Sequence, residues 1–162
     1  SCVGDCAELR AAVTVAVCEQ VAGGPVVVVG HSLGGGTAPH GVVAADFDGD
    51  TDIDLAVVLK NVNLVQLVIN TSGSLSPGAV SATNGLLPRD AVVGDLDQNG
   101  LPDVVTSNRD SDNVSVLLNN GDGTFSDVTA RANLGNPGWG IGCGFLDLDN
   151  DGWLDFFMTS YQ

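Results

Sequence analysis

Apolar residues in this chain come in short runs of four to seven, each broken by an Asp-rich or Gly-rich polar stretch. Val42–Ala45, Ala91–Gly94 and Gly140–Leu146 each precede an acidic loop. Leu55–Leu59, Val104–Ser107 and Phe156–Ser160 each follow one. The runs are short and rich in β-branched or aromatic residues, which predicts strands. A third strand is expected at Leu64–Ile69 and Val114–Leu118, and a fourth at Ala79–Thr83 and Phe125–Thr129. The stretch Asn119–Phe125 carries two glycines and two asparagines, the composition of a hairpin connection. Four short strands in each repeat of about 50 residues is the arithmetic of a propeller blade.

The acidic loops repeat as well. They run Asp46–Asp54, Asp95–Asp103 and Asp147–Asp155, with starts 49 and 52 residues apart. Each has an acid at positions 1, 3 and 9 and Asp or Asn at position 5. The three nonapeptides hold 12 of the 18 Asp. The 162 residues, about one domain's worth, carry 5 Lys and Arg against 20 Asp and Glu, a formal charge of −15. Phosphate backbones and anionic membrane surfaces would be repelled, so nucleic acid is excluded as a direct partner. With 44% apolar residues the chain is not a disordered acidic tail. No apolar run reaches the roughly 18 residues a membrane span needs. The chain starts at Ser and shows no signal peptide, as expected of a processed product. Cys2, Cys6, Cys18 and Cys143 show no C-x-x-C spacing. That points to disulfides formed in an oxidising compartment rather than to zinc, and four cysteines allow three pairings.

On these residues the chain resembles the FG-GAP/VCBS repeat, the integrin-α-type β-propeller blade. The resemblance rests on Asp95–Asp103 with Pro102-Asp-Val-Val, on Val114–Phe125 and on Pro39–Asp50, and it covers residues 39–162. It implies an all-β fold of about three four-stranded, integrin-like propeller blades with Ca-binding loops, closed or extended by head-to-tail assembly. Residues 39–162 form the repeat region, and residues 1–38 an N-terminal segment of outer half-blade strands or a fusion relic. In such repeats the side chains at positions 1, 3, 5 and 9 and the carbonyl at position 7 hold calcium. The resemblance therefore implies about three Ca2+ ions. The first would sit on Asp46, Asp48, Asp50 and Asp54 with the Asp52 carbonyl. The second would sit on Asp95, Asp97, Asn99 and Asp103 with the Leu101 carbonyl. The third would sit on Asp147, Asp149, Asp151 and Asp155 with the Trp153 carbonyl. Calcium takes six to eight hard oxygen ligands, which such a loop can supply, whereas magnesium demands a strict octahedron. Position 6 is Gly100 and Gly152 in two loops but Thr51 in the first. A β-branched residue dislikes positive φ, so the first loop is expected to be strained or differently shaped.

The ends of the chain complete the expectation. By repeat phase, Val13–Val17 is a third strand and Val26–Gly30 a fourth, while the chain stops after a second strand. Three blades fall below the usual propeller minimum of four. Closure is then expected between chains, as a head-to-tail homo-oligomer or filament, unless the chain is a piece of something longer. The function expected is a non-enzymatic, extracellular or cell-surface, structural or adhesive module, with a glycan or another surface protein as further partners. Two rivals stand beside it. A propeller lectin would stack sugars on Trp139 and Trp153, although Trp153, at position 7, is expected to pack beside its loop. Gly30-His-Ser-Leu-Gly34 has the G-x-S-x-G form of a hydrolase elbow, with Ser32 as nucleophile and a helix over Leu9–Val21 before it. Gly34–Pro39 breaks the helix that should follow Ser32, and His40 is the only later histidine. His31 and His40 read as surface or turn residues rather than ligands, and the sequons at Asn70 and Asn113 carry no assignment.

Overall fold

A computed structural model describes residues 6–8, 15–18, 27–30, 39–134 and 139–161. Thirteen strands and one short helix account for most of them. The chain is all-β and built of propeller-type blades. The first complete blade is a four-stranded antiparallel meander of β4 (Pro39–Ala45), β5 (Asp54–Leu59), β6 (Leu64–Thr71) and β7 (Ser74–Ala82). The second repeats it with β8 (Pro88–Gly94), β9 (Asp103–Asn108), β10 (Asn113–Asn119) and β11 (Phe125–Asp127). A third sheet has the paired strands β12 (Trp139–Leu146) and β13 (Asp155–Tyr161). The leading strands of successive sheets lie against one another, β4 on β8 and β8 on β12.

The second strands of the two complete blades show no polar–apolar alternation. β5 and β9 are buried at every residue, so both faces are covered and alternation would serve no purpose. Phe47, Ala56, Val58 and Leu67 of the first blade pack with Ala91, Val104 and Leu117 of the second. Val105, Val114 and Val116 of the second pack with Phe145, Phe156 and Met158 of the third. The acidic loops join first strand to second in each sheet, at one end of each blade.

Two expectations are corrected. The fourth strand of the second blade ends at Asp127 rather than Thr129, and Thr129–Ala132 is a helical turn, α1. Asp127 accepts the Thr129 N–H at 2.8 Å, turning the chain away. The Thr129 hydroxyl then accepts the Val116 N–H at 2.9 Å in place of a strand carbonyl. The N-terminal segment forms three strands rather than two. These are β1 (Cys6–Glu8), β2 (Val15–Cys18) and β3 (Val27–Gly30), antiparallel in that order. The extra strand β1 is short and mixed in polarity, so its sequence carries no periodicity. The strand at Val15–Cys18 also removes the helix that the hydrolase reading needs over Leu9–Val21. His31 and Ser32 lie outside the described residues, as does Cys2. No helix among the described residues is long and apolar enough to cross a membrane.

Candidate metal centre

The three acidic loops share one hydrogen-bond pattern. The carboxylate at position 1 reaches across its own turn. One oxygen of Asp46 accepts the N–H of Gly49 at 2.8 Å and of Asp50 at 3.1 Å, and the other accepts Thr51 N–H at 2.9 Å. Asp95 takes the N–H groups of Asn99 at 3.0 Å and Gly100 at 2.8 Å. Asp147 takes those of Asp151 and Gly152, both at 3.1 Å. Position 3 accepts the N–H of position 5 in all three loops: Asp48 from Asp50, Asp97 from Asn99, Asp149 from Asp151. Position 5 accepts the N–H of position 7: Asp50 from Asp52, Asn99 from Leu101, Asp151 from Trp153. These are successive Asx turns, the reason Asp and Asn occupy alternate positions. The turns bring carboxylate oxygens within 4.8 Å of one another in three trios: Asp46, Asp48 and Asp50; Asp95, Asp97 and Asp103; Asp147, Asp149 and Asp155.

Such curling needs left-handed backbone at position 6, where φ is +85° at Gly100 and +90° at Gly152. Thr51 adopts the same conformation, with φ +78°. The first loop therefore keeps the common shape, strained at Thr51 rather than reshaped, because the surrounding hydrogen bonds fix it.

Position 9 has a second task that the sequence conceals. Asp54 and Asp103 are fully buried. Asp54 accepts the N–H of Phe47, at position 2 of its loop, and of Asn70, at the end of β6, both at 2.8 Å. Asp103 accepts those of Leu96 and Asn119 in the same way, at 2.8 Å each. These acids fasten the loop to the blade's third strand. Burial pushes the Asp103 carboxyl above its ordinary value, against the lowering effect of those two N–H groups, and Asp97 and Asp95 raise it further. Asp155 accepts Leu148 N–H at 2.8 Å. No third strand follows β13 among the described residues to supply the second donor.

The donor set fits a hard cation. Each trio is all oxygen and open to solvent at one or more of its residues. An oxygen that accepts one N–H keeps a second lone pair for a metal. The described residues hold one ion pair, Arg109 with Asp110, which is outside the loops, so no Lys or Arg neutralises a trio through an ion pair there. Asp52 turns its side chain to the N–H of Ser72, leaving its carbonyl as the group the resemblance assigns to a metal. The carbonyls of Leu101 and Trp153 occupy the same turn of their loops.

Other singled-out residues are placed as follows. His40 is no metal ligand: the Arg89 guanidinium donates to its Nε2 at 3.1 Å, so its Nδ1–H donates to the Arg89 carbonyl at 2.6 Å. The Trp153 side chain is 52% exposed, contrary to the packing expected of it. Of Trp139 only the backbone is described. Residues 95–158 match the family model of the FG-GAP-like repeat. The chain thus carries an FG-GAP-like repeat, and residues 39–82 repeat its blade and loop geometry. No curated protein matches the chain.

Proposed function

We propose, for a chain that carries this repeat, a calcium-binding, extracellular structural or adhesive β-propeller-type module that assembles with copies of itself. The observation that carries the reading is the hydrogen-bond pattern shared by three loops. Each gathers a trio of close carboxylates, from positions 1, 3 and 5 in the first loop and 1, 3 and 9 in the other two, and the first does so at the cost of a strained Thr51. Close carboxylates with no paired cation repel one another and oppose folding. A bound dication would reverse that sign.

Asp46, Asp48, Asp50 and Asp54 would hold the first ion with the Asp52 carbonyl. Asp95, Asp97, Asn99 and Asp103 would hold the second with the Leu101 carbonyl, and Asp147, Asp149, Asp151 and Asp155 the third with the Trp153 carbonyl. Calcium supplies charge neutralisation and a cross-link between first and second strands of each blade. Three dications bring the formal −15 to −9. Millimolar calcium outside cells suits sites of modest affinity, and this supports the extracellular address. The self-assembly reading is supported by the separate three-stranded N-terminal sheet.

Thermal melting with calcium, with magnesium and with a chelator tests the reading. Chelation should lower the melting temperature by many degrees and magnesium should restore it poorly, since a ligand that binds only the folded state stabilises it. Equal melting under all three conditions would refute it. A second reading, a glycan-binding propeller, is favoured by one observation: Trp153 stands open to solvent beside the third loop. A glycan array should then show signals lost in Trp153→Ala.

A further inference from the structure

Asn70, near the end of β6, and Asn119, at the end of β10, hold equivalent places in their blades. The main-chain N–H of each bonds the position-9 carboxylate of its own loop, Asp54 and Asp103, at 2.8 Å. The side-chain oxygen of each accepts a turn N–H, from Gly73 and Gly121, at 2.9 Å. The side-chain amide of each donates to the position-8 carbonyl of its loop, Ile53 and Pro102, at 3.2 Å.

Asn119 makes one further bond. Its Nδ2 also donates, at 3.0 Å, to the carbonyl of Phe47 in the acidic loop of the preceding blade. Phe47 stands between Asp46 and Asp48, two members of the first trio, and its own N–H donates to Asp54 at 2.8 Å. Asn119 and Phe47 are both buried, so water does not compete for their bond. On the far side, Asp103 accepts the N–H of Leu96, which stands between Asp95 and Asp97 of the second trio. A continuous run of bonds of 2.8–3.0 Å therefore joins the two loops: Asp54, Phe47, Asn119, Asp103, Leu96.

We propose that Asn119 couples the first two loops, so that an ion held by one raises the affinity of the other. The inference rests on the calcium reading and names how two of its sites are regulated. Ligands gathered on one ion share one arrangement, and Asp46 and Asp48 then fix the Phe47 carbonyl that lies between them. A fixed carbonyl holds the Asn119 amide, and Asn119 is the residue that Asp103 grips. The second loop then has less left to order, so its ion binds at a smaller entropic cost. By reciprocity the second ion favours the first to the same degree. Charge alone acts the opposite way, because filling one loop removes negative charge that attracts a cation to the other.

The test uses the whole chain with the third loop neutralised by Asp147→Asn/Asp149→Asn, titrated with calcium and read by native mass spectrometry. Two further chains also neutralise the first loop (Asp46→Asn/Asp48→Asn) or the second (Asp95→Asn/Asp97→Asn), and each gives one site's own constant. Coupling is the two-ion constant divided by the product of the two single-site constants. Asn119→Ser keeps the main-chain N–H and a hydroxyl for the Gly121 N–H, and is too short to reach Phe47. It should lower the coupling by about fivefold or more, independently of any loss of stability. Asn70→Ser removes an amide that bonds within its own blade and should leave the coupling unchanged. Neither swap alters charge, so the electrostatic contribution cancels in the comparison. Unchanged coupling in Asn119→Ser, or an equal fall in Asn70→Ser, overturns the proposal and leaves calcium binding standing. Chains that take up no calcium overturn the calcium reading itself. If Asn119→Ser does not fold, amide exchange in the chain that keeps only the first loop decides. Calcium should slow exchange of the Leu96 N–H by about fivefold there, and unchanged exchange overturns the proposal.

Discussion

Thr51 and Gly100 occupy the same step of the same turn with φ of +78° and +85°. Only one of them belongs there by intrinsic preference. The left-handed conformation costs a β-branched residue of order 1–3 kcal/mol, and a glycine's extra unfolded-state freedom gives back roughly 0.5–1. Thr51→Gly should therefore raise stability by about 1 kcal/mol, read by urea unfolding with calcium present, without changing the number of ions bound. The sequence made the strain legible but not its resolution, because propensity is local and the bonds that impose the φ come from Asp46.

The position-9 acids separate in the same way. Asp103→Ala strands one buried and one part-buried N–H group, at about 1–3 kcal/mol each, so a loss of about 2–6 kcal/mol is expected even in calcium-free protein. Asp155→Ala strands one accessible N–H and should cost far less there. The buried Asp103 carboxyl also sets a pH dependence. Its proton is held more tightly in the folded chain than in the unfolded one, so its contribution favours folding at low pH. That contribution is lost as pH rises through the raised value. Calcium-stripped wild type should lose more melting temperature as pH rises above the ordinary aspartate range than Asp103→Ala does. Parallel curves would place the pH dependence elsewhere.

At the scale of elements, twelve of the thirteen strands follow from short apolar runs between turn signals or from the repeat phase; burial on both faces leaves β5 with the unbroken run Leu55–Leu59, whereas β9, equally buried, carries Thr106, Ser107 and Asn108 beside Val104 and Val105. What stayed hidden had no periodic signature. β1 is three residues long, and α1 exists because Asp127 and Thr129 divert the chain. Nor could spacing show that Asp54 and Asp103 clamp the third strand, because a ligand and a clamp look alike in one dimension. The N-terminal pairing bears on the disulfide pairing that the sequence leaves open: β1 and β2 place Cys6 directly opposite Cys18. Directly opposed residues of antiparallel strands have Cα atoms about 4.5–5.5 Å apart, within disulfide range. Non-reducing peptide mapping of oxidised protein should find Cys6 joined to Cys18. Cys143 should remain a free thiol, since burial pushes its pKa up to about 12. A bridge involving Cys143 would contradict both expectations.

The described residues combine two systems of opposite character. Inter-blade cores such as Phe47 with Leu117, and Val105 with Phe156, are apolar and independent of ions. The loop ends concentrate 12 of 18 Asp and carry no ion pair among the described residues. Calcium is the central claim because, bound at the three trios, it would convert the second system from a liability into a set of cross-links. Native mass spectrometry of the calcium-stripped chain titrated with calcium tests it most directly. The account predicts uptake that ends at three ions per chain and falls to two in Asp147→Asn/Asp149→Asn. A folded chain that takes up no calcium, or the same number with the third loop neutralised, would contradict it.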